Sequence, residues 1–171
     1  GTTQVSASSI QNSLNVGTSV TLGASGDAGS AGVITVNADI SKTAGGSATL
    51  LFRTDAYDAD PGIGTNWVNR ADTSVVINNP ISSIAGALHV QFGSSSADAG
   101  GRVTLNAPLA TNGGNVTFYS DAGTTVGGTG TIDLMNTANA SGTNTINLNG
   151  ANVASDGTLT MNGVETLDRK S

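Results

Sequence analysis

The sequence contains no cysteine, and it is poor in charged residues, aromatic residues and long apolar runs. Without cysteine, disulfides, thiolate nucleophiles and cysteine-ligated zinc sites are excluded. Charged residues make up 11% of the chain, against roughly 25% in an average protein. Helical bundles and coiled coils depend on Glu, Lys and Leu, and this chain has a single glutamate, so both fold classes are excluded. The longest apolar run, Ala48–Phe52, is far too short to span a bilayer.

The net charge of −6 and the pI near 4.3 describe an acidic chain. Nucleic-acid binding requires a basic surface that displaces phosphate counterions, and attachment to anionic lipid requires the same sign of charge. We therefore expect neither a nucleic-acid partner nor insertion into a membrane. The chain opens at Gly1 with no methionine and no recognisable signal peptide, and we expect it to be an internal fragment of a longer protein.

The residues that are abundant (Gly, Ser, Thr, Asn, Val and Ala) form an internal repeat. A first class of segment has the pattern apolar-x-apolar-Asn-x-(Asp/Pro)-apolar and comprises Ile34–Ile40, Val75–Ile81 and Val103–Leu109. A second class begins with a glycine and comprises Gly46–Leu50, Gly86–Val90 and Gly114–Phe118. In both classes a long step separates the first two members and a shorter step separates the last two. The shorter step sets a repeat of about 28 residues, and the longer one is a repeat that carries an insertion of about a dozen.

Both classes extend along the chain as short apolar-x-apolar triplets. Towards the C-terminus, Ile132–Leu134 continues the first class, Ile146–Asn149 continues the second, and Leu159–Met161 begins another repeat. Towards the N-terminus, the corresponding positions belong to Val5–Ala7 and Val20–Leu22. The alternation within each triplet is typical of a β-strand, and no single triplet is long enough to bury a core.

These features predict an all-β fold of stacked short strands. We predict a right-handed parallel β-helix of five to six coils, each of roughly 28 residues, with like apolar residues stacked inside. Residues 1–171 would form one solenoid with a loop insertion at about 53–70. A β-sandwich is the alternative, because glycine-rich strands at this spacing suit it as well.

Asparagine recurs at one corner of the predicted coil, at Asn37, Asn78 and Asn106, and again half a repeat later at Asn149. Stacked amides one coil apart can bond to one another along the rod. Asparagine is also common at left-handed turn positions. Both interpretations are structural.

Four segments of the sequence are similar to those of a known protein family: Gly17–Leu22, Gly32–Val36, Thr111–Phe118 and Gly130–Leu134. They resemble the filamentous-haemagglutinin-like large exoproteins of Gram-negative bacteria, over a region from about Ser6 to Leu167. The resemblance implies a secreted β-helical adhesin at the outer-membrane surface, acting in attachment, aggregation, biofilm formation or virulence. The secretion domain of that family has no visible counterpart here, so the resemblance implies a piece of the shaft.

Acidic, basic and aromatic side chains cluster at one place only, the insertion between Arg53 and Arg70. Three interpretations of its aspartates remain open: a calcium site of carboxylate and backbone oxygens, the catalytic site of a carbohydrate-active β-helix, or a polar surface loop. Loops on a rigid scaffold often carry function, so this insertion is the first candidate for a binding site. The residues concerned are Asp55, Asp58 and Asp60, with Tyr57 and Trp67 nearby.

Other catalytic and binding patterns are weak. The only histidine, His89, falls on the outward side of its strand, and no Gly-x-Ser-x-Gly elbow, P-loop or dinucleotide fingerprint occurs. Residues 127–133 nearly match a calcium-binding nonapeptide, but the aspartate comes one residue late. Pairs of threonines are typical of ice-binding faces, yet here they form no regular ladder. We therefore expect no enzyme activity.

The expected function is that of a stiff segment of a bacterial adhesin that contacts a host or neighbouring-cell surface, with carbohydrate as one kind of target. The alternative is a polysaccharide-degrading or polysaccharide-binding β-helix. Exposed strand edges at both ends of the segment are expected to favour end-to-end self-association. The only cofactor we consider is calcium, at Asp55, Asp58 and Asp60.

Overall fold

The described part of the chain has an all-β fold, with one short helix among the strands. The computed structural model describes residues 3–24, 33–53, 56–58, 66–68, 74–93, 102–118, 125–134, 145–147, 152–153, 160–162 and 166–168. The elements in chain order are α1 (Ala7–Asn15), β1 (Val20–Gly23), β2 (Val33–Val36), β3 (Ile40–Lys42), β4 (Ala48–Arg53), β5 (Ala56–Asp58), β6 (Asn66–Val68), β7 (Ser74–Ile77), β8 (Ile81–Ser83), β9 (Leu88–Phe92), β10 (Arg102–Leu105), β11 (Leu109–Ala110), β12 (Val116–Phe118), β13 (Thr125–Gly127), β14 (Thr131–Asp133), β15 (Thr145–Asn147), β16 (Asn152–Val153), β17 (Thr160–Asn162) and β18 (Thr166–Asp168).

Most of these strands form three parallel sheets. Sheet A has the order β1-β4-β9-β12-β15-β18, sheet B the order β16-β13-β10-β7-β2, and sheet C the order β17-β14-β11-β8-β3. The chain visits the sheets cyclically, from A to B to C and back to A, which fits a parallel β-helix. Within the described ranges, antiparallel pairing occurs only between β5 and β6. The main sheets therefore lack the antiparallel pairing that the alternative β-sandwich requires.

The register in sheet B is the one that the first repeat class predicts. Ile34 is the partner of Val75, and Val75 is the partner of Val103. The long step followed by a short one is therefore confirmed for this class. Sheet C repeats the same two steps through the partners Ile40, Ile81 and Leu109.

The register in sheet A departs from the glycine alignment at its third member. That alignment places Phe118 opposite Val90, whereas the partner of Val90 is Val116 and the partner of Phe118 is Phe92. The turn from sheet C into sheet A is two residues shorter here than one coil earlier, so the glycine no longer marks the register. The shift aligns three stacked rings, with centroids 5.4 Å apart for Phe52 and Phe92, and 4.9 Å apart for Phe92 and Phe118.

Two segments that were predicted to continue the first class do not occupy its positions. Ile132 lies in sheet C opposite Leu109, and the sheet B position belongs to Val126, the partner of Val103. The step from Val103 to Val126 is shorter than the preceding step in the same sheet, so an alignment at constant period overshoots into the next sheet. The segment Val5–Ala7 is not a strand, because Ala7 is the first residue of α1. The second class continues as predicted through Val20–Leu22 and Ile146.

Inward-facing side chains of the three sheets form a single hydrophobic core. Alternation along each strand sends every second residue inwards, as in β4, where Ala48, Leu50 and Phe52 are buried. Like residues stack on like in successive coils, for example Ile77 beneath Leu105 in sheet B. Each fully buried Leu, Ile or Phe contributes on the order of 1.5–3 kcal/mol, so the columns of the core stabilise strands that are too short to be stable alone.

The one helix in the described part of the chain, α1, falls well short of the length and hydropathy needed to cross a bilayer.

Candidate functional site

Helix α1 covers one end of the stack of strands. Ser6 caps its first turn, with the hydroxyl oxygen accepting a hydrogen bond from the Ser9 N–H at 3.2 Å. Ile10 and Leu14, one turn apart, are both buried in the hydrophobic core. The helix ends before Gly17, whose φ of 77° closes the last turn and lets its N–H bond the Leu14 carbonyl at 3.0 Å. An apolar stripe on a short helix thus takes the place that another coil would occupy.

The same helix supplies hydrogen-bond acceptors to the open edge of β3. The Gln11 side-chain oxygen accepts the Ser41 N–H at 2.9 Å, and the Asn15 side-chain oxygen accepts the Thr43 N–H at 2.8 Å. Asn15 also accepts the Ala44 N–H at 3.2 Å. Four helical residues rise about 6 Å, and two strand residues span about 6.6 Å, so acceptors one turn apart match donors two residues apart. These side chains stand in for the carbonyls of a preceding strand.

A buried column of polar side chains lines the corner between sheets C and A. Lys42, Ser83 and Thr111 occupy equivalent positions in successive coils and are the buried polar residues of the described chain. The Thr111 hydroxyl donates to the Gly114 carbonyl at 2.7 Å, and the Ser83 hydroxyl oxygen lies 2.7 Å from the Gly86 carbonyl. Each side chain therefore satisfies a carbonyl of the turn that follows it, at a place where strand pairing is interrupted.

Lys42 differs from the hydroxyls below it because it links two coils. Its Nζ donates to the carbonyl of Ala44 in its own turn and, at 2.6 Å, to the carbonyl of Ala85 in the next turn. Its side chain is fully buried, and this desolvation lowers the pKa of Lys42 below its ordinary value. The alternation of β3 is the signal that indicates this residue, because Lys42 follows the inward Ile40 by two positions and so has the same orientation.

His89 lies on the outer side of sheet A, as its position in the alternation predicts, but it is only partly exposed. Its Nδ1 accepts a hydrogen bond from the Asn115 backbone N–H of the next coil at 3.0 Å. This atom therefore carries no proton in the structure. Burial lowers the pKa of His89, which favours the same neutral form.

An asparagine ladder runs along the corner between sheets B and C. The Asn78 side-chain N–H donates to the Asn37 oxygen at 2.9 Å, and the Asn106 side-chain N–H donates to the Asn78 oxygen at 3.0 Å. The predicted bonding of stacked amides is confirmed for these three residues, and none of them has a positive φ. Asn149 lies outside the described residues.

The insertion that the sequence singled out contains the antiparallel hairpin of β5 and β6, which leaves the stack between β4 and β7. Tyr57 is the register partner of Trp67, and Asp58 is the register partner of Asn66. Of the three aspartates considered as calcium ligands, Asp58 has a described backbone position, whereas Asp55 and Asp60 lie outside the described residues. In the part of the chain that is described, no group of three His, Cys, Asp or Glu residues is arranged to hold a metal ion.

Comparison of the chain with protein-family models, curated proteins and solved structures finds no match.

Proposed function

We propose that the chain is a right-handed parallel β-helix with coils of roughly 28 residues, and that it forms a stiff shaft segment of a secreted or outer-membrane-attached bacterial adhesin. The observation that carries this proposal is the cyclic order of three parallel sheets, with partners kept in register from coil to coil. The resemblance to filamentous-haemagglutinin-like exoproteins supports the adhesive role. The shaft acts by geometry, since the stacked strands hold surface loops at set distances along a rod.

Contact with a host or neighbouring cell is assigned to the insertion at about 53–70. Its hairpin lies in a connection between sheet A and sheet B, and the register of the hairpin makes Tyr57 and Trp67 partners in a two-stranded ribbon. Opposed residues of an antiparallel pair share one face of the ribbon. Aromatic residues grouped in this way are suited to stacking on sugar rings, which makes cell-surface carbohydrate the favoured target.

Attachment of coated beads to epithelial cells and to bacterial cells tests this function. The equivalent corner one coil later offers a matched control, because residues 94–101 connect β9 to β10 without an insertion. In the control variant, the sequence of residues 94–101 replaces residues 54–73. We expect beads carrying the native chain to attach at least tenfold more than beads carrying the control variant. Equal attachment by both would reject the insertion as the contact site, and failure of both would reject the adhesin.

A carbohydrate-active β-helix is the second candidate, favoured by the aspartates that accompany the aromatic pair. Two or three acids that converge on one groove are the requirement for polysaccharide cleavage. The test is release of reducing ends or of unsaturated uronates from a panel of acidic and neutral polysaccharides. Turnover that disappears in Asp58→Asn but persists in the exposed-corner variant Asp39→Asn would establish the enzyme. Absence of turnover on the whole panel would leave the adhesin as the function.

A further inference from the structure

We propose that His89 is an acid-sensitive closure between two coils of sheet A: the neutral imidazole holds the Asn115 N–H of the next coil, and protonation of the ring releases it. Acid thereby loosens the stack at one defined place, the corner that leads into β12. The closure is independent of adhesion and requires only the stacked strands.

The bond to His89 replaces one step of the sheet A ladder. The Val90 N–H donates to the Asn115 carbonyl at 2.9 Å, as the register of β9 and β12 requires. In a parallel ladder of this register, the Asn115 N–H would in turn donate to the Leu88 carbonyl. It donates instead to His89 Nδ1, at 3.0 Å. The Leu88 N–H bonds the Thr111 carbonyl of the shortened turn at 2.9 Å, so the regular ladder begins only after this point.

The same position in sheet A has a counterpart that cannot titrate. Between β1 and β4 the Thr49 N–H lies just before the first ladder pair, and it donates to the Ser19 hydroxyl oxygen at 3.2 Å. Thr49 is opposite Ser19 in the register, just as Asn115 is opposite His89. In both cases the opposed side chain of the preceding coil supplies the acceptor. A hydroxyl oxygen can accept at any pH, whereas an imidazole nitrogen can accept only in the neutral ring.

Protonation of His89 cannot be accommodated by turning the ring over. Both nitrogens of an imidazolium are donors, so either orientation would direct an N–H at the Asn115 N–H. Burial of His89 lowers its pKa while the corner is closed, and in an opened corner the pKa returns towards its ordinary value near 6.5. The open state therefore binds the proton more tightly, and acid shifts the equilibrium towards it.

Charged groups of the described chain lie away from His89. The outward neighbours of His89 on β4, β9 and β12 are uncharged, namely Thr49, Leu51, Gln91 and Thr117. Arg53 is on the same face of β4, but four residues beyond Thr49, about 13 Å along the strand. This exceeds the screening length of about 8 Å at physiological salt. Lys42 faces the interior of the stack, on the other side of the backbone. Within the described ranges, the acid response is therefore set by the bond between His89 and Asn115.

Hydrogen exchange of single amides, measured by NMR on the full chain between pH 7.5 and 5, tests the closure. After correction for intrinsic exchange, we expect protection of the Asn115 amide to fall by up to about tenfold for each pH unit below about 6.5, because opening is coupled to uptake of one proton. The Val90 amide, whose acceptor is the Asn115 carbonyl, should follow it. The Thr49 amide is the internal control, and its protection should stay constant because its acceptor is a hydroxyl oxygen.

Two variants separate the acceptor from the charge. His89→Asn offers a side-chain oxygen at the position of Nδ1 that takes up no proton in this range, so the Asn115 amide should keep its protection down to pH 5. His89→Leu removes the acceptor, so the Asn115 amide should exchange faster than in the native chain at pH 7.5 and lose the dependence on acid. In the native chain at pH 7.5, the nitrogen chemical shifts of the imidazole should place its proton on Nε2.

Three results would overturn the proposal: an acid response that persists in His89→Asn, an Asn115 amide that responds no more than the Thr49 amide, or a proton on Nδ1 at pH 7.5. If His89→Leu loses its β-sheet circular dichroism, the native chain and His89→Asn still decide the question. None of these experiments measures attachment to cells, so failure of the adhesin proposal leaves this one standing, and the reverse holds as well.

Discussion

The column of phenylalanines in sheet A allows a quantitative test of the observed register. Phe92 stacks on Phe52 on one side and on Phe118 on the other, with interplanar angles of 14° and 7°. A stacked aromatic pair contributes about 0.5–1.5 kcal/mol beyond the apolar area it buries. Phe92→Leu removes two such pairs and Phe118→Leu removes one. We therefore expect Phe92→Leu to lower the free energy of unfolding by about 0.5–1.5 kcal/mol more than Phe118→Leu does.

Urea unfolding followed by circular dichroism provides the measurement, with the slope held in common between variants. The double variant Phe92→Leu/Phe118→Leu completes a cycle, from which we expect a coupling energy of about 0.5–1.5 kcal/mol. A second cycle, of Val90→Ala with Phe118→Leu, is the reference, and its coupling should be smaller. A larger coupling in the Val90 cycle would refute the reasoning, because it would place Phe118 opposite Val90, as the glycine alignment has it.

Four further predictions concern single positions and calcium. Because burial lowers the pKa of His89, the contribution of His89 to stability should be constant above about pH 6.5 and should fall as the pH drops below it. His89→Gln, which keeps an acceptor for the Asn115 N–H, should flatten this decline in urea titrations between pH 7 and 5. Because desolvation lowers the pKa of Lys42 below 10.5, stability should rise as the pH increases towards 10.5 in the native chain and should rise less in Lys42→Met; equal slopes would contradict the buried ammonium. Gly114→Ala should lower the free energy of unfolding by more than about 1 kcal/mol, because its Cβ would lie 2.0 Å from a carbonyl oxygen of the preceding coil. Gly46→Ala is the control, since its Cβ would meet no atom within 4 Å, and this variant should be neutral or slightly stabilising in thermal unfolding. If the aspartates of the insertion bind calcium, millimolar calcium will raise the melting temperature and a chelator will reverse the rise; an unchanged melting temperature would remove calcium from consideration.

The features that the sequence predicted are those governed by strict alternation. Val75 and Ile77 alternate inwards along β7, and the asparagine that follows them begins the same corner in three coils. Because the sheet B and sheet C strands follow each other across this short corner, one register error would turn both apolar columns to solvent. The spacing of the sequence therefore predicts the two steps that separate the first three coils in sheets B and C.

The features that the sequence analysis missed depend on corners of variable length. The turn from sheet C to sheet A loses two residues before Val116, and hydrogen bonding by Thr111 together with a positive φ at Asn112 closes it. Glycine marks sharp bends, and bends move relative to the strands when a corner shortens, so glycine was a poor guide to register. Helix α1 does have sequence signals, namely a capping Ser6 and a glycine at position 17, but these signals are unrelated to the strand period of the repeat.

The sequence predicts where the candidate site lies along the chain, but not which of its residues are paired. Composition located the insertion, because acids, bases and aromatics are scarce elsewhere in the chain. The pairing of Tyr57 with Trp67 follows from the length of the hairpin loop, which residue types do not determine. Alternation with Ile40 indicates an inward position for Lys42, but charged residues are so rarely buried that alternation alone does not predict a buried lysine.

The hairpin between β4 and β7 shows how freely this architecture accepts new sequence at its corners. Sheet A and sheet B keep their partners across it, since Phe52 still pairs with Phe92 and Val36 with Ile77. Making a flexible connection two to three times longer costs only about 0.8 kcal/mol in closure entropy, less than one buried leucine contributes. Selection can therefore exchange what the corner displays while the interior remains untouched, and an engineer can graft a foreign epitope there at the same small cost.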